Sequence, residues 1–155
     1  ERGEVPASPQ TTTGKVATMG LILSSIRADL KKEEEGEWIE SDLLKGVSFK
    51  VRSPQCDRFQ VANSAMMREL SQKYKDAVPP PSEIDARIGK LYAEHILIDW
   101  KGIVDDEGKE IALLESLREE VLTDPAHRIL RGAIEAAARR VALVDPKFEE
   151  TAAKN

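Results

Sequence analysis

Residues 82–100, SEIDARIGKLYAEHILIDW, decide how the fold is read. Ile84, Ile88, Leu91, His95 and Ile98 recur at spacings of three and four, so on a helix they line one face, with Asp85 three positions after the capping Ser82. The spacing predicts one long amphipathic helix that runs to Trp100. Just before it, Pro79-Pro80-Pro81 must stop any preceding helix, because proline lacks an amide donor and pushes its predecessor out of helical geometry. Upstream of that triplet the same period returns. Asp57 stands as a cap with Gln60 at the third helical position, and Phe59, Ala62, Met66, Leu70 and Tyr74 form a second stripe.

Working outward, Lys101 to Lys109 contains Asp105-Asp106-Glu107-Gly108, a turn composition. Beyond it, Leu113, Leu114, Leu117, Val121 and Leu122 make a shorter helical face. Thr123 or Asp124, with Pro125 in the first turn, opens a last helix carrying Ile129, Leu130, Ala133, Ile134, Ala137 and Val141, which Asp145-Pro146 ends. On the N-terminal side, Val47, Phe49 and Val51 alternate with Ser48, Lys50 and Arg52 at the strand period of two. Trp38-Ile39 lies in a facing run across Ser41 to Gly46, so a β-hairpin is expected there. Leu21 to Leu30 reads as a short helix whose charged continuation stops at Gly36. Residues 1–18, with Pro6, Pro9, Thr11-Thr12-Thr13 and Gly14, read as a flexible arm or a non-native extension, and residues 147–155 as a frayed tail. The expected architecture is mainly α, a helix-dominated α+β fold. It has an N-terminal β-hairpin followed by about four amphipathic helices, in a single domain over residues 19–146.

Composition limits the function. In 155 residues, 41% are hydrophobic and 33% charged, the balance of a soluble globular chain able to build one core. The formal net charge of -5 argues against nucleic-acid binding, which needs a basic surface to neutralise phosphates. Cys56 is the single cysteine, which excludes an internal disulfide, a cysteine zinc cluster and a CxxC pair, and suits a reducing compartment. No apolar run approaches the roughly 20 residues that cross a bilayer, and no secretion leader is visible. Cytoplasmic residence without a membrane partner is the expectation.

Chemistry-bearing motifs are equally sparse. Aligning Gly108 with the invariant glycine of a calcium loop puts Ile103 and Leu114 at the first and last ligand positions, where oxygen is required, so the acidic run reads as a plain turn. His95 and His127 are isolated from each other and from Cys56, and no phosphate loop, nucleophile elbow or paired-carboxylate pattern is present. A non-enzymatic protein with no metal and no cofactor is expected. Arg128, Arg131, Arg139 and Arg140 make the last helix basic, but Glu135, Asp124 and Asp145 dilute the field. Met66 and Met67, with Phe59, Leu70 and Tyr74, could form an adaptable apolar groove, since methionine repacks around varied partners; ordinary core is the plainer alternative.

Three stretches carry a family likeness. Ala28-Asp29-Leu30-Lys31-Lys32 runs through Glu33 to Ile39 into Val47-Ser48-Phe49-Lys50-Val51-Arg52. Tyr92-Ala93-Glu94-His95-Ile96-Leu97-Ile98 leads into Asp99-Trp100-Lys101-Gly102, and the turn Asp105-Asp106-Glu107-Gly108 follows. Together they resemble the small tail assembly chaperones of long-tailed bacteriophages, over most of Met19 to about Val144. The resemblance implies a helical adaptor in the host cytoplasm that binds the tape-measure protein, recruits tail-tube subunits and leaves before the virion is complete. A homo-oligomer is compatible with it. The alternative is a permanent virion component, a head-tail connector or tail-completion subunit. Candidate partner contacts are Met66, Leu70, Tyr74, Trp100 and Ile103; Trp100 could instead anchor its turn against the core.

Overall fold

The computed structural model describes residues 17–152. Residues 1–16, most of the expected arm, and residues 153–155, the end of the expected tail, lie outside the described residues. The elements in chain order are β1 (Ala17–Leu21), a 3-10 turn (Leu23–Ile26), α1 (Leu30–Glu35), β2 (Glu37–Glu40), β3 (Ser48–Val51), α2 (Asp57–Lys73) and α3 (Pro81–His95). They continue with β4 (Leu97–Lys101), α4 (Glu115–Thr123), a second 3-10 turn (Pro125–His127), α5 (Arg128–Arg139) and β5 (Phe148–Ala152).

This arrangement overturns the expected fold class. Among the described residues there are five α-helices, one sheet of two strands and one of three, an α+β mixture rather than a helix-dominated fold led by a hairpin. β2 and β3 do pair antiparallel, Ile39 opposite Phe49, but they form two thirds of a sheet ordered β2-β3-β4. The helix expected to reach Trp100 ends at His95, and the residues after it become the third strand. Ile96, Leu97 and Ile98 satisfy either period; β3 offers a ladder, with Phe49 opposite Trp100 and Lys50 opposite Asp99, and the strand prevails. Leu21 to Leu30 is likewise not one helix, because it holds the end of β1, a 3-10 turn and only the first residue of α1.

The chain divides into two units. In the one made by the chain ends, β1 pairs antiparallel with β5, Met19 opposite Glu150 and Leu21 opposite Phe148. The Ile22 amide continues the ladder to the Lys147 carbonyl at 2.8 Å, and Ser25 Oγ accepts the Lys147 amide at 2.8 Å. Phe148–Ala152 therefore occupies the segment read as a frayed tail with a paired strand.

The other unit spans Asp29–Leu143. One face of its sheet, with Ile39, Phe49, Val51, Leu97 and Trp100, is buried, and α5 lies against β2 and β3 through Ala133, Ile134, Ala137 and Ala138. Small side chains on α5 let the helix approach the sheet closely, and full burial of Ile134 contributes about 1.5–3 kcal/mol. α3 packs on both β4 and α4. At the α3–α4 crossing stands Gly89, where a Cβ would meet the Leu122 carbonyl oxygen at 2.0 Å. Arg118 of α4 caps β4, donating from Nη2 to the Ile98 carbonyl at 3.1 Å. On the opposite sheet face Trp38 is 37% exposed, with Lys101 Nζ 4.0 Å from its ring centroid.

The signature segment around Trp100 serves the core. Trp100 is 6% exposed and donates its indole N–H to the Ile111 carbonyl at 2.7 Å. Gly102 has to be glycine on two counts: its φ is +88, and the Gly46 carbonyl oxygen of the β2–β3 loop would lie 2.1 Å from any Cβ there. The acidic run closes a turn, with Asp105 Oδ1 accepting the amides of Glu107 at 2.8 Å and Lys109 at 3.0 Å.

Candidate partner-binding surface

α2 and α3 form an antiparallel arm. Cys56, without a side-chain cap bond, is the N-cap of α2, so Asp57 is not the cap its sequence position suggests. Glu34 of α1 supplies the acceptor instead, its carboxylate taking the Asp57 amide at 2.8 Å. Gln60 turns back to the Pro54 carbonyl at 2.7 Å. At the far end α2 stops at Lys73, ahead of the prolines, with Lys75 and Asp76 at positive φ, and α3 starts at Pro81.

Two clamps hold the arm. Tyr74 donates its hydroxyl to Glu83, and Lys73 Nζ reaches the same carboxylate at 2.9 Å. The hydrogen bond from Tyr74, then that from Lys73, holds the Glu83 carboxyl below its usual range, and the bond to Glu83 raises the Tyr74 phenol. Halfway along, Arg87 pairs with Glu69.

The predicted contacts fall differently along this arm. Met66 and Leu70 are 3% and 1% exposed in the α2–α3 seam, Tyr74 is half-buried in its clamp, Trp100 is in the core, and Ile103 packs against that core. Met66 and Leu70 thus reach the surface only as the floor of the depressions beside the seam, and Trp100 is enclosed. Around the seam lie two depressions. One, of about 580 Å³, has Ala62, Ala65, Met66 and Leu91 as its apolar lining and Glu69, Arg87, Lys90, Glu94 and His95 as its polar one. The other, of about 290 Å³ at the tip, is lined by Met67, Leu70, Ala77, Val78 and Pro79 with Ser71 and Asp76. Met67 is 51% exposed, Val78 87%, and Val61 on the outer side of α2 70%.

Sequence reasoning names Met67 as part of an adaptable groove but misses Val61, off the stripe that marks the buried face of α2, and Val78, in the connection to α3. That irregularity was the available signal: large apolar residues where a solvated face should be polar.

The titratable groups nearby are placed for structure. His95, at the end of α3, accepts at Nδ1 from Arg58 Nε at 3.3 Å, and burial followed by Arg58 pushes its pKa down, favouring the neutral ring. Burial raises the Cys56 thiol, the opposite of what activates a nucleophile. Among the described residues no group of three or more His, Cys, Asp or Glu could hold a metal ion, and no helix is long and apolar enough to cross a membrane.

The arm, α4, α5 and β5 all fall within residues 53–155, the stretch that matches the family described as YdaY prophage protein. Neither a curated protein nor a solved structure matches the chain. The matched stretch is about two thirds of the sequence, so the chain belongs to this family and is phage-derived.

Proposed function

We propose, with membership of that phage-derived family as the premise, that the chain is a non-catalytic tail assembly chaperone whose α2–α3 arm binds the tape-measure protein and whose cargo includes tail-tube subunits. The single observation that carries this reading is the one-sided packing of α2. Its inner stripe is sealed on α3, while Met67 and Val78 remain exposed beside an apolar depression at the tip, and Val61 is exposed nearer the start of α2. Exposed apolar side chains of this kind favour docking of an amphipathic helix, which offers its own residues at spacings of three and four. A long tape-measure chain presents such stripes before the tube encloses it, and covering them suppresses its self-association. The resemblance in sequence supplies the identity of the partner; the arm supplies a surface of the required kind.

Co-expression with the tape-measure protein, followed by co-purification, tests this. The expected result is a stable complex that Met67→Glu combined with Val78→Glu weakens by at least about tenfold. Surface substitutions of this type change fold stability on average by about 0.5 kcal/mol or less. Equal recovery with the double variant would remove the arm from the interface. Finding the chain in mature particles at ring-like copy number would replace the chaperone with a permanent tail component.

A further inference from the structure

Beneath the start of α2 lies a second kind of depression, about 370 Å³, lined by Ser53, Pro54, Gln55, Tyr92 and Arg139. Tyr92 of α3 is 8% exposed, its ring set edge-on to Phe59 with centroids 5.3 Å apart. Among the described residues its hydroxyl has no hydrogen-bond partner, although buried hydroxyls in native proteins nearly always have one. Among the described residues the one sealed side-chain nitrogen or oxygen without a partner is Arg118 Nε, so the Tyr92 oxygen opens into the cleft.

Charge at the cleft comes from α5. Glu135 and Arg139 stand one turn apart, and both act electrostatically on Tyr92. Glu135 is engaged by Arg131 Nε at 3.3 Å. Arg139 has no ion pair and no hydrogen bond among the described residues, and neither does the side-chain amide of Gln55. The Arg139 guanidinium, the Tyr92 phenol and the Gln55 side-chain amide, none of them bonded among the described residues, therefore share one concave surface and offer it N–H and O–H donors.

We propose that this cleft binds a carboxylate presented by a peptide segment of a partner protein, with Arg139 and the Tyr92 hydroxyl as its donors. One uncommitted guanidinium matches a monoanion, while Arg131, the other arginine acting on Tyr92, is already paired with Glu135 and supplies no second free cation for the double charge of a phosphate. Pro54 offers an apolar wall for the methylenes that precede the carboxylate. The proposal is independent of the tape-measure assignment and of the arm tip.

The test is an NMR titration of the full chain with three probes: an acetylated, amidated alanine tripeptide with a central glutamate, its central-glutamine counterpart, and acetyl-trialanine with a free terminal carboxylate. Saturable shifts of the Gln55 side-chain amide and Arg139 Nε–H are expected with the glutamate peptide, the free terminus or both, which identifies the source of the carboxylate, and not with glutamine. Losing one charged donor in Arg139→Gln weakens binding about tenfold, and losing one neutral donor in Tyr92→Phe about threefold. Tyr92→Phe breaks no hydrogen bond within the fold, so it reads the site even if Arg139→Gln disturbs α5. Equal shifts with the glutamine peptide, no saturation with either carboxylate, or unchanged affinity in Tyr92→Phe would overturn the proposal.

Discussion

Phe49 and Val51 on the inner sheet face are wholly buried between neighbouring strands and α5, whereas α2 is covered along one stripe and leaves Val61 and Met67 in solvent. The difference follows from what each element meets. A central strand is paired on both edges and packed on a face, so nearly every apolar residue it carries is enclosed. A helix at the outside of an arm has one neighbour, and any apolar residue off its seam stays wet. In the first region apolar character reports packing; in the second, part of it is free for contact with another protein.

The largest expected effect that probes this contrast is Phe49→Ala. Removing a wholly buried phenyl group should destabilise the unit by about 3–5 kcal/mol in urea unfolding. A loss as small as that of a surface substitution would erase the distinction between sheet and arm. Next is Gly89→Ala, where the new methyl meets the Leu122 carbonyl. Alanine gains about 1 kcal/mol in helix propensity over glycine. Separating α3 from α4 should outweigh that gain, for a net loss of about 1–3 kcal/mol by thermal unfolding.

The smallest effect is at the arm tip. Because the folded-state pKa of Glu83 is depressed, its stabilisation is present above the unfolded value and is lost as pH falls through the folded one, below the usual glutamate range of about 4.3. Glu83→Gln should imitate that loss at neutral pH. Amide exchange between Tyr74 and Val78 would then quicken a few-fold at most, the sheet amides remaining unchanged, since exposed ion pairs contribute little. Equal quickening in the sheet would show that the arm and the core open together.

Much of the local pattern was legible in the sequence, but the fold class was not. Alternation at Val47, Phe49 and Val51 marked a strand, and the spacings in α2 and α5 marked helices, because each period has one dominant solution. Leu97–Lys101 escaped because Ile98 continues the helical stripe of Ile84 to His95, so only its partner β3 decides the matter. β1 and β5 carry no such alternation; ATMGL and FEETA become strands through pairing with each other across the length of the chain. The candidate surface was hidden for a related reason. An amphipathic stripe identifies what a helix buries, so Met66 and Leu70 went to the seam; Met67 was grouped with these buried neighbours, and its exposure, like that of Val61 and Val78, emerged only once the neighbours were placed.

The two tryptophans stand on opposite faces of a single sheet, Trp38 against a lysine and partly wet, Trp100 enclosed with its indole N–H bonded. Intrinsic emission therefore has two components of different colour and quencher access, both originating in the sheet and neither in the helical arm. A fluorimeter would record melting of the sheet while remaining blind to motion or docking at Met67 and Val78, so a dye placed on the arm is needed to observe a partner arriving there.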